Sequence, residues 1–196
     1  MNREDYISFI DGGLSDGVGF FIGNLFITAG HVINDNGIHT INVNGRKVEL
    51  KKSNAIYLNC AEFDRVCRDI PDLAIFKFKD VNSPLILAND SLTEGLCLDN
   101  ISKRRTVLHN ETNGISSIFT QTETIKTHIC KGVVVSHDAD YWECHTDSLL
   151  RRGDSGSPFM KGNSVYGVLV GGEPGTIKCA FLSAERIFKI IENKNK

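Results

Sequence analysis

At 196 residues the chain can bury a substantial apolar interior, either as one compact unit or as two small halves sharing a core. Its 22 basic and 24 acidic side chains nearly cancel to a formal charge of -2, which excludes a strong long-range field towards nucleic acid or an anionic membrane. No stretch approaches the roughly 18 apolar residues of a membrane-spanning helix, and Met1-Asn2-Arg3-Glu4-Asp5-Tyr6 lacks the apolar run of an export signal, so a soluble, cytoplasmic protein is expected.

Two β-prone runs, Gly17–Ile22 and Leu25–Ala29, flank the turn dipeptide Gly23-Asn24 and predict a β-hairpin. Further short runs follow at Thr40–Val43, Lys47–Leu50, Ala55–Leu58, Leu73–Phe78 and Leu85–Leu87, separated by Asn, Gly, Asp and Pro. The first half therefore reads as antiparallel strands. From Ser91 to Arg105 the pattern weakens into polar residues ending in Lys103-Arg104-Arg105, which reads as a crossing between two lobes, 1–98 and 99–196. Short strands resume at Thr106–His109, Ser117–Thr120, Gly132–Ser136, Tyr141–His145, Pro158–Met160, Ser164–Val170 and Lys178–Leu182. Ser183 can then cap a C-terminal helix whose Ile187, Phe188, Ile190 and Ile191 recur with helical spacing, before a frayed tail Asn193–Lys196.

The cysteines Cys60, Cys67, Cys97, Cys130, Cys144 and Cys179 include no C-x-x-C pair. Cys144-His145, being adjacent, cannot put both side chains on one face of a strand. In a reducing compartment free thiols are expected, and no metal site.

Ser155 lies in Gly153-Asp154-Ser155-Gly156-Ser157-Pro158, whose small residues allow a sharp turn and the close approach of a carbonyl to the hydroxyl. In such a turn the N–H groups of Gly153 and Ser155 can converge on one point, where they would stabilise an oxyanion by about 3–4 kcal/mol per donor. His31 follows the Leu25–Ala29 strand through Gly30, a position from which an imidazole can reach across a cleft. A serine hydroxyl needs such a base, and histidine is the side chain that accepts protons near neutrality. Asp72, in Pro71-Asp72-Leu73-Ala74-Ile75-Phe76, opens an apolar strand, where a carboxylate wants an N–H or cationic partner. By accepting the His31 N–H it would fix the tautomer and stabilise the imidazolium. Asp64 and Asp69 are rivals in a polar run. His39, His109, His128, His137 and His145 read as structural, with His137 or His145 able to line a substrate pocket.

The order His, Asp, Ser differs from that of subtilisin and the α/β-hydrolases. Thr28-Ala29-Gly30-His31-Val32, Asp72-Leu73-Ala74 and Gly153–Pro158 resemble the signature motifs of trypsin-like serine proteases, and Gly17-Val18-Gly19-Phe20 resembles their lead into the histidine strand. The resemblance implies an all-β fold of two six-stranded antiparallel barrels with a short C-terminal helix and the triad between the barrels. It also implies peptide hydrolysis through an acyl-enzyme, with no cofactor.

Departures from the digestive members are informative. The cysteines that brace the His and Ser loops in secreted relatives are missing, and so is an Ile-Val-Gly-Gly-like start whose freed amine would pair with the aspartate before the serine. Asp154 then needs another partner: Arg151 or Arg152, or a loop ordered only by substrate or by an activating partner. The family comparison places the pocket walls at Leu149, Leu150 and Arg152 and at Leu169, Val170, Gly171 and Gly172. An apolar base disfavours cleavage after Lys or Arg, and Leu169, where Glu- or Gln-cleaving relatives often carry histidine, disfavours cleavage after those residues. Gly171-Gly172 can pair with an extended peptide. The partner expected is thus a protein or peptide substrate, not nucleic acid or membrane. Two alternatives are a protease-fold binding module without turnover and a non-peptidase acyl hydrolase. The first would be signalled by a missing triad residue, and none is missing. The second is disfavoured by the triad order and the absence of a G-x-S-x-G elbow.

Overall fold

A computed structural model describes residues 2–12, 15–60, 70–110, 120–138 and 140–194, with side chains throughout except at 108–110 and 120–122. The strands of the first half are β1 (Ile7–Ile10), β2 (Gly17–Ile22), β3 (Leu25–Thr28), β4 (Thr40–Val43), β5 (Arg46–Glu49), β6 (Ala55–Asn59) and β7 (Leu73–Lys77). They form a five-stranded sheet in the order β1-β2-β3-β7-β6, continued through a bridge from Asp11 to Thr40 into the β4-β5 hairpin. The β2–β3 hairpin forms as the sequence predicts, with Gly23 taking the φ of +54° that favours glycine at a tight turn. Alternate residues Phe21, Phe26 and Phe76 turn inward with Ile10, Ile33 and Ile41 to make one core cluster.

The second half contains β8 (Ile86–Leu87), β9 (Cys97–Asn110), β10 (Thr120–Asp138), β11 (Tyr141–Thr146), β12 (Pro158–Lys161), β13 (Ser164–Gly172) and β14 (Lys178–Ser183). Six of these close into a barrel in the order β12-β9-β10-β11-β14-β13, with β12 pairing to β13, while β8 adds a parallel edge to β13. Closure leaves the barrel no free edge of its own. Phe159 and Phe181 fill its interior with ring centroids 4.7 Å apart, beside Leu98, Val134 and Cys144.

The polar stretch Ser91–Arg105 differs from its reading as a crossing. From Cys97 it is the first part of β9, which pairs along its length with β10. The alternation is hidden because the residues that β9 turns inward include Asn100 and Ser102, polar yet buried. The region 117–119 of the expected Ser117–Thr120 strand lies outside the described residues. Also unseen in the sequence are β1, preceded by a 3-10 turn at Arg3–Tyr6, the short helix α1 (Gly30–Asn34) that carries His31, a 3-10 turn at Lys52–Asn54, and the stretch of β10 between Thr120 and Gly132.

The C-terminal helix α2 (Ala184–Lys194) starts as expected, with the Ser183 hydroxyl accepting the Arg186 N–H at 3.3 Å. It buries Ile187 and Ile190. These belong to a third cluster that draws on both halves, joining Ile7, Val18, Phe20, Leu73 and Ile75 to Ile101, Met160, Val168 and Leu182. That shared interior fixes the elements that meet at the cleft.

Candidate active site

His31 sits in the first turn of α1, immediately after β3, and Asp72 immediately before β7, the strand that pairs with β3. The ladder between those strands therefore brings the two side chains together. The Nδ1 atom of His31 lies 2.6 Å from one Asp72 carboxylate oxygen, and the His31 backbone N–H donates to the other at 2.8 Å. Asp72 is 3% exposed, so this is a charge-assisted contact sheltered from water. With the proton held on Nδ1, Nε2 is left as the basic nitrogen. Gly30 makes the geometry possible, since a Cβ there would meet the Asn59 carbonyl oxygen at 1.7 Å and an Asp72 carboxylate oxygen at 2.9 Å. The rival residues Asp64 and Asp69 lie outside the described residues.

A further contact, not foreseen from sequence, holds Asp72 from the other barrel. The Tyr141 hydroxyl, at the start of β11, accepts the Asp72 backbone N–H at 3.0 Å and donates to the Ile70 carbonyl at 3.3 Å. Burial pushes the Tyr141 phenol up from its ordinary pKa, so it remains a neutral donor and acceptor. Nothing in the sequence around Tyr141 separates it from any other strand tyrosine.

Ser155 lies on the turn before β12. Gly153 and Gly156 take φ of +92° and +87°, the left-handed region that side chains other than glycine resist. The turn docks on the sheet of the first half: the Val18 N–H donates to the Ser155 carbonyl at 2.9 Å, and a Cβ at Gly156 would meet the Val18 carbonyl oxygen at 2.0 Å. The Gly156 N–H donates to the Leu169 carbonyl at 2.8 Å and the Leu169 N–H returns to Ser157 at 2.9 Å. The N–H groups of Gly153 and Ser155 find no protein acceptor among the described residues.

Asp154 is fully buried, and its partner is neither of the expected arginine side chains. Arg104 of β9 grips it with both arms, Nε donating to one carboxylate oxygen at 2.8 Å and a terminal nitrogen to the other at 2.6 Å. This bond raises the Arg104 pKa further above its ordinary value. Arg151 contributes only main-chain groups, its N–H donating to the Asp154 carboxylate at 2.7 Å and its carbonyl accepting the Asp154 N–H at 3.0 Å, and Arg152 stands at the surface. The expectation fails because Arg151 and Arg152 share the exposed run leading into the turn, whereas β9 passes behind it. The same strand supplies Asn100, whose amide donates to the Ser157 hydroxyl at 2.8 Å and to the Pro158 carbonyl at 3.3 Å. The inward polar residues that obscured β9 in the sequence are thus the backing of the serine turn.

His31 and Ser155 open on one cleft of about 880 Å³, within the range of small-molecule and peptide sites. Of the expected wall residues, Leu150, Arg152, Leu169, Gly171 and Gly172 line it, together with Gly153 of the serine turn. Leu149 is 52% exposed outside the lining, and the Val170 side chain packs into the shared core. His137 instead stacks on Trp142 at 4.6 Å, and His145 approaches Glu143 at 3.0 Å. Among the described residues no three His, Cys, Asp or Glu side chains converge as a metal shell would. Cys130, Cys144 and Cys179 are buried thiols, Cys97 is exposed, Cys60 is partly so, and Cys67 lies outside the described residues.

No family model and no curated protein matches the chain. Solved structures do. The Rv3671c protease of M. tuberculosis, in its inactive form, superposes with a TM-score of 0.64 at 17% identity, over 99% of this chain and 91% of that one. The serine endoprotease from Yersinia pestis gives 0.68 at 16% identity, over 98% of this chain and 64% of its own. Neuropsin, a serine protease of mouse brain, gives 0.65 at 13% identity, over 97% and 94%. Together with the closed six-stranded barrel packed across a cleft from a second antiparallel β unit, these likenesses establish that the chain has the chymotrypsin-like serine-protease fold.

Proposed function

We propose that the chain is a serine endopeptidase that hydrolyses peptide bonds with Ser155 as nucleophile, His31 as general base and acid, and Asp72 as the residue orienting His31. The observation that carries this reading is the pairing of His31 with a buried Asp72, His31 opening on the same cleft as Ser155, with Ser155 on a turn of two left-handed glycines.

Ser155 Oγ attacks the peptide carbonyl while His31 Nε2 takes the hydroxyl proton. The C–O bond forms, the carbonyl electron pair moves to oxygen, and the N–H groups of Gly153 and Ser155 receive that charge. Asp72 accepts the Nδ1–H and stabilises the imidazolium. His31 then returns the proton to the leaving nitrogen, the C–N bond breaks, and an acyl-serine remains. Water, deprotonated by the same imidazole, attacks the acyl carbon and releases the acid and the free serine hydroxyl. No step calls for a metal or organic group. Leu150, half-buried on the cleft wall, supports an apolar primary pocket, which suits an apolar or modest-sized side chain before the cut.

A fluorophosphonate probe tests this chemistry without knowledge of the substrate. Attack by Ser155 Oγ on phosphorus expels fluoride and leaves a stable phosphonyl-serine. Intact-mass analysis is expected to find one adduct, mapped to Ser155, lost in Ser155→Ala and strongly slowed in His31→Ala. Wild-type protein that stays unlabelled, or labelling that survives Ser155→Ala, overturns the proposal.

A further inference from the structure

The cleft carries a charge pattern that the mechanism does not use. Arg151 and Arg152 both line it and both are exposed, and among the described residues neither guanidinium has a carboxylate within ion-pair distance. The acidic residues of the same cleft are already engaged: Asp16 lies 3.4 Å from Arg105, and Glu173 lies 3.9 Å from Lys178. The wall beside Ser155 therefore presents two uncompensated positive charges on a chain whose formal charge is -2. The pKa of His128 is lowered by partial burial and then by the charge of Arg104, against an opposing effect of Asp154 and with smaller contributions from Arg151 and Lys126 in the lowering direction.

The Arg151 main chain is also anchored. The Arg151 N–H donates to the Asp154 carboxylate at 2.7 Å, and its carbonyl accepts the Asp154 N–H at 3.0 Å. The Arg151 guanidinium thus projects from a main chain that Arg104 holds through Asp154, which fixes where on the cleft wall its charge is presented.

We propose that the cleft selects peptides in which an acidic side chain flanks the apolar residue that enters the pocket, the acid being held by Arg151 and Arg152. The proposal rests on the serine-peptidase reading for its place in the reaction, but the recognition itself needs no turnover. An exposed ion pair is worth roughly 1.5- to 5-fold in affinity, so the two together should give about fivefold.

The test is fluorescence anisotropy with Ser155→Ala protein and fluorescein-labelled nonapeptides carrying a central Leu flanked on both sides by Glu, by Gln or by Lys. The Glu peptide is expected to bind about fivefold tighter than the Gln peptide and the Lys peptide more weakly than either. The preference should collapse near 1 M salt, where the screening length falls to about 3 Å. It should vanish in an Arg151→Gln, Arg152→Gln double variant and shift towards the Lys peptide in Arg152→Glu. Equal binding of the three peptides, binding of none, or a preference that survives the double variant overturns the proposal. Failure of fluorophosphonate labelling would instead remove the peptidase reading and leave this binding result standing. Wild type cutting all three peptides with equal kcat/KM would remove only the charge preference.

Discussion

Replacing Arg104 with Met removes the cation from a fully buried Asp154 and leaves that carboxylate with one strong donor, the Arg151 N–H at 2.7 Å. Two bonds are lost, of 2.8 and 2.6 Å, and the Arg104 side chain is itself only 19% exposed. Breaking a buried ion pair from one side costs about 3–5 kcal/mol, because the remaining charge stays desolvated. With a urea dependence of about 2 kcal/mol/M, the unfolding midpoint should fall by roughly 2 M. Asp154 is also the residue on which the turn 151–157 is hung, so the Gly153 and Ser155 amides should lose their alignment, and turnover is expected to fall by about 100-fold. Urea unfolding followed by Trp142 fluorescence, with fluorophosphonate labelling rates on the same samples, reads both effects. Arg104→Lys keeps the charge but not the two-armed grip and should fall between wild type and Arg104→Met. Arg151→Ala, which keeps its backbone N–H, should unfold at the wild-type midpoint. An Arg104→Met protein with wild-type midpoint and labelling rate would refute the claim that this strand supports the serine turn.

Tyr141→Phe leaves the Asp72 N–H without its acceptor, a loss of about 1–3 kcal/mol, and should lower the unfolding midpoint and kcat together while changing KM little. Native alkylation followed by peptide mapping should modify Cys97 readily and spare Cys130, Cys144 and Cys179, since burial raises the Cys130 pKa to about 11 and a hydrogen bond to Cys144 with burial raises that of Cys179. Asp11 is held below its ordinary pKa of 3.8, chiefly by a hydrogen bond from Arg105. Its folded value being the lower, the stability it contributes is present above pH ~4 and is lost as pH falls through the depressed value. Urea midpoints of wild type and Asp11→Asn should therefore differ at pH 6 and converge below pH ~4, and the difference should shrink in salt.

What the sequence reveals about this molecule follows from where its polar residues lie. The β2–β3 hairpin is legible because apolar residues flank a Gly-Asn turn with nothing to confuse the pattern. The His31, Asp72 and Ser155 contexts are legible because small residues must surround each of them: Gly30 clears the Asp72 carboxylate and Gly156 clears Val18. Thr106–His109 is read correctly as a strand, but the first part of β9 is not legible, because Asn100, Ser102 and Arg104 point inward where apolar residues would announce a strand. Asn100 serves Ser157 and Arg104 serves Asp154, partners 57 and 50 residues away in the chain. A period-2 count over 98, 100, 102 and 104 would find the face only if Asn, Ser and Arg were allowed in an interior. Tyr141 is hidden for the same reason, its role being set by Asp72 beside the sheet of the first half.

The central claim is that Ser155, with His31 and Asp72, cuts peptide bonds, and mass-spectrometric mapping of cleavage sites in a peptide library addresses it most directly. Wild type and Ser155→Ala would be compared under reducing conditions. The account predicts cuts made only by wild type, clustered after apolar residues. Folded wild-type protein that makes no cuts, or cuts that persist in Ser155→Ala, would contradict it.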